Sequence, residues 1–111
     1  MSEPRLKTGL WVGAVLRRGE AQGRYGVVLH RGDADAGGVL VVLRGREGFS
    51  VLTEVRDGEG RPAWMRGTGA AAVAEADAEA YVARRLRTDS DLWVLEFESP
   101  DLLPPFEARL L

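Results

Sequence analysis

The side chains best able to do chemistry lie in the stretch RGDADAGG and in the histidine before it. His30 is the only histidine of the chain, and Asp33 and Asp35 follow it at alternate positions. Carboxylates at alternate positions share a hard cation in calcium-binding loops. A histidine near carboxylates has the residue types of a general base and its partners. The stretch therefore raises two hypotheses, a cation site and a small metal- or histidine-dependent enzyme built on these three residues.

The residues around the two aspartates favour a structural loop. A calcium loop needs ligands at its fifth and twelfth positions, which are Gly37 and Arg44 here. Aspartate and glycine also form turns, because aspartate caps its own backbone and glycine accepts positive φ. We therefore expect a long hairpin loop between two strands, with Asp33 and Asp35 exposed and Arg31 beside them as candidate contact residues. A looser cation site between the two aspartates stays open.

Two further patterns lack the surroundings that their chemistry requires. His30 and Ser50 have the residue types of a base and a nucleophile, but no serine lies in a Gly-x-Ser-x-Gly turn. Gly67, Gly69 and Ala72 match the spacing of a dinucleotide-binding loop. Four strands with short connections precede that loop, and the chain is too short for the second half of a dinucleotide-binding fold. We expect no cofactor and no catalytic residue.

Arginine dominates the basic residues, and charge is distributed unevenly along the chain. The formal net charge is −2, with eleven basic and eight acidic residues in positions 1–66 and four basic and nine acidic residues after them. A mildly basic face in the first part would suit a nucleic-acid- or anion-binding accessory protein, because guanidinium groups bind anions well. The basic residues for that alternative are Arg17, Arg18, Arg24, Arg31, Arg44, Arg46 and Arg66, with Tyr25, Trp64 and Trp11 as rings for stacking.

Length and composition limit the class of protein. The chain has 111 residues, which suits one domain, and its hydrophobic fraction of 45% is that of a globular protein. It contains no run of about 18 apolar residues to span a membrane, and its polar start predicts no secretion signal. It has no cysteine, and therefore no disulfide or thiolate metal site. We expect a cytoplasmic protein.

The periodicity of hydrophobic residues predicts the helices and strands. Pairs at i,i+4 spacing predict a helix over 9–23, with a strand as the alternative because of Gly13 and Gly19. Charges that match the helix dipole predict another helix over 70–87. Its inward stripe is predicted to be Val73, Ala76, Ala80 and Ala83, with Val82 and Leu86 beside it. Strands are predicted over 24–31, 38–44, 48–55, 63–66 and 91–99. Residues 1–98 should form a single α+β domain, an antiparallel sheet of four or five strands with two helices packed on one face.

The segment SPDLLPPFEARLL, residues 99–111, forms an apolar C-terminal tail with three of the five prolines. Proline cannot donate to a ladder, so the tail cannot join the interior of a sheet. Three alternatives stay open. The tail packs on its own domain, frays, or docks on a partner chain.

Several segments together carry a family resemblance. The runs GLWVGAVLRR, VVLHRGDADAGGVLVVL, WMR and DSDLWVLEFE resemble a small bacterial family, typical of alphaproteobacteria, known as domain of unknown function 1491. The resemblance covers roughly residues 8–98. It implies a cytoplasmic single domain and carries no established activity, cofactor or catalytic residue.

The sequence as a whole favours a noncatalytic binding or interaction module in the cytoplasm. Its partner would be an unidentified protein, or a second copy bound through the tail. Nucleic-acid or anion binding through the Arg-rich first half is the alternative, and an enzyme built on His30 is a third. The candidate contact residues are Arg17, Arg18, Arg31, Asp33, Asp35, Trp64 and Arg66.

Overall fold

Residues 6–111 are described by a computed structural model, in which they form two helices and a five-stranded sheet. In chain order the elements are α1 (Thr8–Ala21), β1 (Gly26–His30), β2 (Val39–Arg44), β3 (Phe49–Arg56), β4 (Pro62–Arg66), α2 (Glu75–Thr88) and β5 (Trp93–Glu98). Every predicted helix and strand is present, and the α+β class is confirmed. Within this part of the chain, no helix is both long and apolar enough to cross a membrane.

The sheet is mixed, because β5 lies between β1 and β2. The strand order is β1-β5-β2-β3-β4, with β5 parallel to β2 and all other neighbours antiparallel. The predicted hairpins β2–β3 and β3–β4 are confirmed. The prediction of a wholly antiparallel sheet is wrong, as is that of a hairpin around residues 31–38. The long connection through α2 returns the chain across the sheet, which allows β5 to pair parallel with β2.

The two helices pack on opposite faces of the sheet, so the prediction that both lie on one face is wrong. Val12 of α1 packs in the same cluster as Leu95 of β5. Ala78 of α2 packs on the other face, in a cluster that includes Val94. The reason is visible in β2, where residues 39–43 are all buried. A strand that is apolar on both faces needs a covering layer on each.

The second helix begins five residues later than predicted. Val73 lies before it and exchanges two backbone hydrogen bonds of 2.8 Å with Phe49 of β3. The helix packs on the sheet through Ala78, Tyr81, Val82 and Leu86. The predicted stripe is therefore wrong for Ala76, Ala80 and Ala83, which are exposed.

The tail packs on its own domain. Its side chains Leu102, Phe106 and Ala108 pack against the cluster that α1 covers. Pro105 is fully buried, and its C=O accepts a hydrogen bond of 3.0 Å from Gln22 Nε2, just after α1. Leu110 forms an isolated bridge with β4, at the edge of the sheet. One face of the sheet is thus covered by α1 and the tail together, and the other by α2.

Candidate interaction surface

β1 is an edge strand whose outer backbone groups face away from the sheet. Within the described chain it pairs with β5 alone. The Glu98 N–H donates to the Tyr25 C=O at 2.9 Å. Because bonded pairs alternate along an antiparallel ladder, Val27 is the next residue bonded to β5, and the N–H and C=O groups of Gly26 and Val28 point outward. Outward groups of this kind form a template for a further strand.

Three large apolar side chains of β1 and its approach are exposed on the side of α2. Tyr25, Val27 and Leu29 are 58%, 55% and 55% exposed, and we call them the apolar row. Alternate residues of a strand share a face. Gly26, between them, lies against the ring of Phe97 on the α1 side. The row stays exposed because α2 packs over buried residues of β2, β3 and β5, and a groove separates the helix from Leu29 of β1.

A groove of about 430 Å³ lies between Leu29 of the apolar row and α2. Leu29 lines it from β1, while Val82, Ala83 and Leu86 line it from the helix. Val42 of β2 also lines it. The lining is mostly apolar, so the groove suits an apolar side chain of a bound segment.

Charged residues line part of the same groove. Arg44 Nη2 lies 3.1 Å from Glu75 Oε2 and 3.4 Å from Glu96 Oε2. The guanidinium also lies over the ring of Phe49, 4.8 Å from its centroid. Glu79 is a third carboxylate in the lining. One arginine thus balances part of an acidic lining, and a partly exposed pair of this kind adds little stability.

A second groove lies on the α1 side of β1. It has a volume of about 380 Å³ and is lined by Leu10 and Leu16 of α1, Val28 of β1 and Trp93 of β5. Leu10 is more than half exposed. The side chains of a strand alternate between its two faces. A strand added beside β1 would therefore have one groove for its side chains on the α2 side and another for those on the α1 side.

The opposite edge of the sheet, at β4, is covered by the tail. The Trp64 N–H donates to the Arg109 C=O, and the Leu111 N–H donates to the Trp64 C=O, both at 2.8 Å. The ring of Phe106 lies 5.3 Å from that of Trp64 and 5.2 Å from that of Trp11. Trp64 is only 5% exposed. Its ring is therefore part of the core and presents no face for stacking.

Ion pairs link the tail to the rest of the domain. Arg24, before β1, donates to Asp101 from Nη1 at 2.6 Å and from Nη2 at 3.0 Å. Arg109 donates to Asp57 of the β3–β4 turn. The guanidinium of Arg109 holds the pKa of the Asp57 carboxyl well below its ordinary value, and Arg24 lowers the pKa of Asp101 in the same way.

The loop of residues 31–38, for which a cation site and an enzyme were considered, is held by contacts with other parts of the chain. Asp33 Oδ2 accepts a hydrogen bond of 2.8 Å from the Ala36 N–H, and Asp35 lies 3.7 Å from the Lys7 ammonium. His30 Nδ1 lies 2.8 Å from the Leu92 C=O. No group of three or more cation ligands is present in the part of the chain that the structure describes. Asp33, Asp35 and His30 thus each have a different partner.

This loop, which connects β1 to β2 in the chain, also contacts both α1 and the segment before β5. Its carbonyl groups at Ala34 and Asp35 accept hydrogen bonds from the first N–H groups of the helix, at Gly9 and Thr8. A Cβ at Gly32 would overlap the carbonyl oxygen of Asp91, just before β5. The glycine is therefore required by close backbone approach. The loop thus satisfies the helix N-terminus and packs against the segment before β5.

The predicted arginines are divided among different parts of the molecule. Arg17 and Arg18 are exposed on α1, and Arg31 lies over the ring of Trp93 at 5.4 Å. Arg66 of β4 donates to Ser50 Oγ at 3.0 Å and to the Leu102 C=O at 3.1 Å. Arg66 is thus engaged at the tail-covered edge, while Arg31 belongs to the loop beside β1.

The apolar row was missed as a candidate site, although its residues were assigned to a strand and Tyr25 was considered as a stacking ring. The run YGVVL is apolar at nearly every position, which is typical of a strand buried on both faces. Here the same pattern lies at an edge without a covering helix. The signal that was available is the position of the run between two arginines, Arg24 and Arg31, with no charge inside it.

Comparisons with known proteins agree on one family. The family model described as "Protein of unknown function (DUF1491)" matches residues 6–107. A crystal structure of a DUF1491 family protein from Caulobacter crescentus has 36% identity, a TM-score of 0.86 and coverage of 96% of this chain and 100% of that chain. A solution structure of a protein from A. tumefaciens has 25% identity, a TM-score of 0.79 and coverage of 95% of each chain. Among curated proteins, none matches.

Proposed function

Because the chain belongs to the DUF1491 family, whose description assigns no activity, we propose a function from its surface. The protein is a noncatalytic interaction module that binds another polypeptide by strand addition at β1. The bound segment is extended and apolar, and it pairs with the outward backbone groups of Gly26 and Val28. The single observation that carries the proposal is the exposed, uncharged apolar row on an edge strand.

The physical reasons are those of an unprotected sheet edge. Proteins usually protect such an edge with charges, proline or a covering segment, and an exposed apolar edge pairs with other chains. Each added backbone hydrogen bond contributes about 1 kcal/mol net. Apolar contact contributes about 25 cal/mol for each Å² removed from water. The grooves on the two sides of β1 offer space for alternate side chains of the added strand, as in other modules that bind by strand addition.

The test places a photo-reactive residue at the edge in living bacteria. Tyr25→p-benzoylphenylalanine replaces one exposed aromatic ring with another, and the same residue at Met65 is the matched control. Met65 is 43% exposed on β4, at the covered edge. We expect cross-linking at position 25 to recurrent segments of polypeptide, identified by mass spectrometry, and little at position 65.

A synthetic peptide of the cross-linked segment then tests the binding mode with the purified protein. Methylation of alternate backbone nitrogens should abolish binding, because strand addition requires those N–H groups. Val27→Lys should weaken binding about tenfold or more, which corresponds to about 1.4 kcal/mol, and Met65→Lys should not. Equal cross-linking at positions 25 and 65 would contradict the proposal, as would binding that tolerates the methylated peptide.

A further inference from the structure

We infer that the polypeptide bound at β1 is a second copy of this chain, paired antiparallel about a twofold axis at Val27. This inference rests on the proposed function and names its partner. The two five-stranded sheets would join into one continuous sheet of ten strands. A twofold interface is isologous, so the same residues must face one another in both directions. The sequence and geometry of the apolar row meet that condition.

The backbone of β1 is suited to this register. A twofold axis at Val27 places Gly26 of one copy opposite Val28 of the other. Both residues direct their N–H and C=O groups away from β5, so each pair can exchange two hydrogen bonds. The hydrogen-bonded pairs of Gly26 and Val28 lie in the regular part of the strand, because the ladder with β5 becomes irregular only after Val28, at Leu29.

The side chains of the apolar row are complementary to themselves. With Val27 facing its own copy, Tyr25 of each chain lies opposite Leu29 of the other. All three residues lie on the α2 side and are exposed to nearly the same degree, between 55% and 58%. Cross-strand pairs of aromatic and aliphatic residues stabilise a sheet. Pairing removes six large apolar side chains from water and leaves no like charges directly opposite.

The second copy would also complete the groove beside α2. Leu29 lines that groove from β1 and is its outermost strand residue. In the dimer, the second copy's Tyr25 lies next to Leu29, where a single chain has only solvent. The carboxylate of Glu96, opposite Val27 in the β1–β5 ladder, lies 3.4 Å from the Arg44 guanidinium, which it shares with Glu75.

Charge variants at the twofold axis test the pairing. Sedimentation equilibrium should show a concentration-dependent dimer for the natural chain. Val27→Lys and Val27→Glu should each weaken it about tenfold or more, because two like charges then face one another. An equimolar mixture of these two variants should recover the dimer. Met65→Lys should dimerise like the natural chain. Both positions are exposed, and circular dichroism checks that each variant is folded.

A cysteine cross-link tests the register independently. The natural chain has no cysteine. Opposite residues of a non-hydrogen-bonded pair have Cα atoms about 4.5 Å apart, within the range of about 4.4 to 6.8 Å that a disulfide requires. Val27→Cys should therefore form a covalent dimer under mild oxidant about tenfold or more faster than Met65→Cys, which is similarly exposed.

Three results would overturn the inference. These are a natural chain that stays monomeric at every concentration, a mixture of charge variants that does not recover the dimer, and equal oxidation rates at positions 27 and 65. Cross-linking from the photo-reactive residue at position 25 distinguishes the failure of the dimer from the failure of the proposed function. A monomer that still cross-links to segments of other proteins would refute the second copy and leave the interaction module standing.

Discussion

The chain covers one edge of its sheet, at β4, and leaves the other edge, at β1, exposed. At β4 the tail supplies backbone hydrogen bonds to Trp64, an aromatic ring at Phe106 and an ion pair to Asp57. At β1 the chain supplies no cover in the described residues, and the apolar row is exposed. The tail shows how an edge of this sheet is closed. The open edge is therefore the one at which binding is expected.

The largest contrast between the edges should appear in the stability of the folded state. Trp64→Ala removes a buried ring that contacts Trp11 and Phe106, and should lower the free energy of unfolding by about 4 kcal/mol. Tyr25→Ala, at the open edge, should change it by less than about 0.5 kcal/mol. Urea unfolding measures both. It requires dilute protein, because association stabilises the folded state. Similar losses for the two variants would contradict the distinction between the edges.

A smaller effect separates the inner side of β1 from its outer edge. A Cβ at Gly26 would lie 2.5 Å from the ring of Phe97 and 3.0 Å from Leu16. Gly26→Ala should therefore lower the free energy of unfolding by about 2 kcal/mol through overpacking. Gly58→Ala is the control, because nothing lies within 4 Å of the added carbon. If urea unfolding finds the two variants equally stable, β1 is not held against the core as described.

The smallest effect is the response of the covered edge to acid. The pKa values of Asp57 and Asp101 are lowered in the folded chain by Arg109 and Arg24. Groups with lowered pKa values stabilise the fold above their unfolded pKa of about 3.9, and that contribution is lost as pH falls below it. The tail should therefore loosen below about pH 4. The expected readout is a change in tryptophan fluorescence as Phe106 leaves Trp64.

Single substitutions test which carboxylate causes the response to acid. Asp101→Asn should reduce the part of the fluorescence change that occurs between about pH 4 and pH 2. Asp35→Asn changes an exposed carboxylate in the loop between β1 and β2, away from the tail, and should leave the response unaltered. An acid response identical in both variants and in the natural chain would show that the ion pair to Arg24 does not fasten the tail.

Local patterns in the sequence predicted the helices, the strands and two of the hairpins. These features depend on residues close together in the chain, such as the turn between β2 and β3. The strand order could not be predicted in this way, because β5 reaches its place between β1 and β2 only after α2. The continuous apolar run of residues 39–43 did contain the information that the helices lie on both faces.

The candidate site was less predictable than the fold. Asp33 and Asp35 drew attention by residue type, but their loop contacts α1 and the start of β5, which lie far away in sequence. Trp64 drew attention as an aromatic ring, and the tail buries it. The apolar row has the composition of a buried strand, but α2 packs over β2, β3 and β5 and leaves the row exposed.

The central claim is that β1 is open in the single chain and closed by a second copy. Amide hydrogen exchange of Val28 and Trp64, followed by NMR as protein concentration rises, tests it most directly. The Trp64 N–H, bonded to the tail, should be protected at every concentration. The Val28 N–H should exchange freely in dilute protein and become protected as the dimer fills. A Val28 exchange rate that does not change with concentration, or an unprotected Trp64 N–H, would contradict the account.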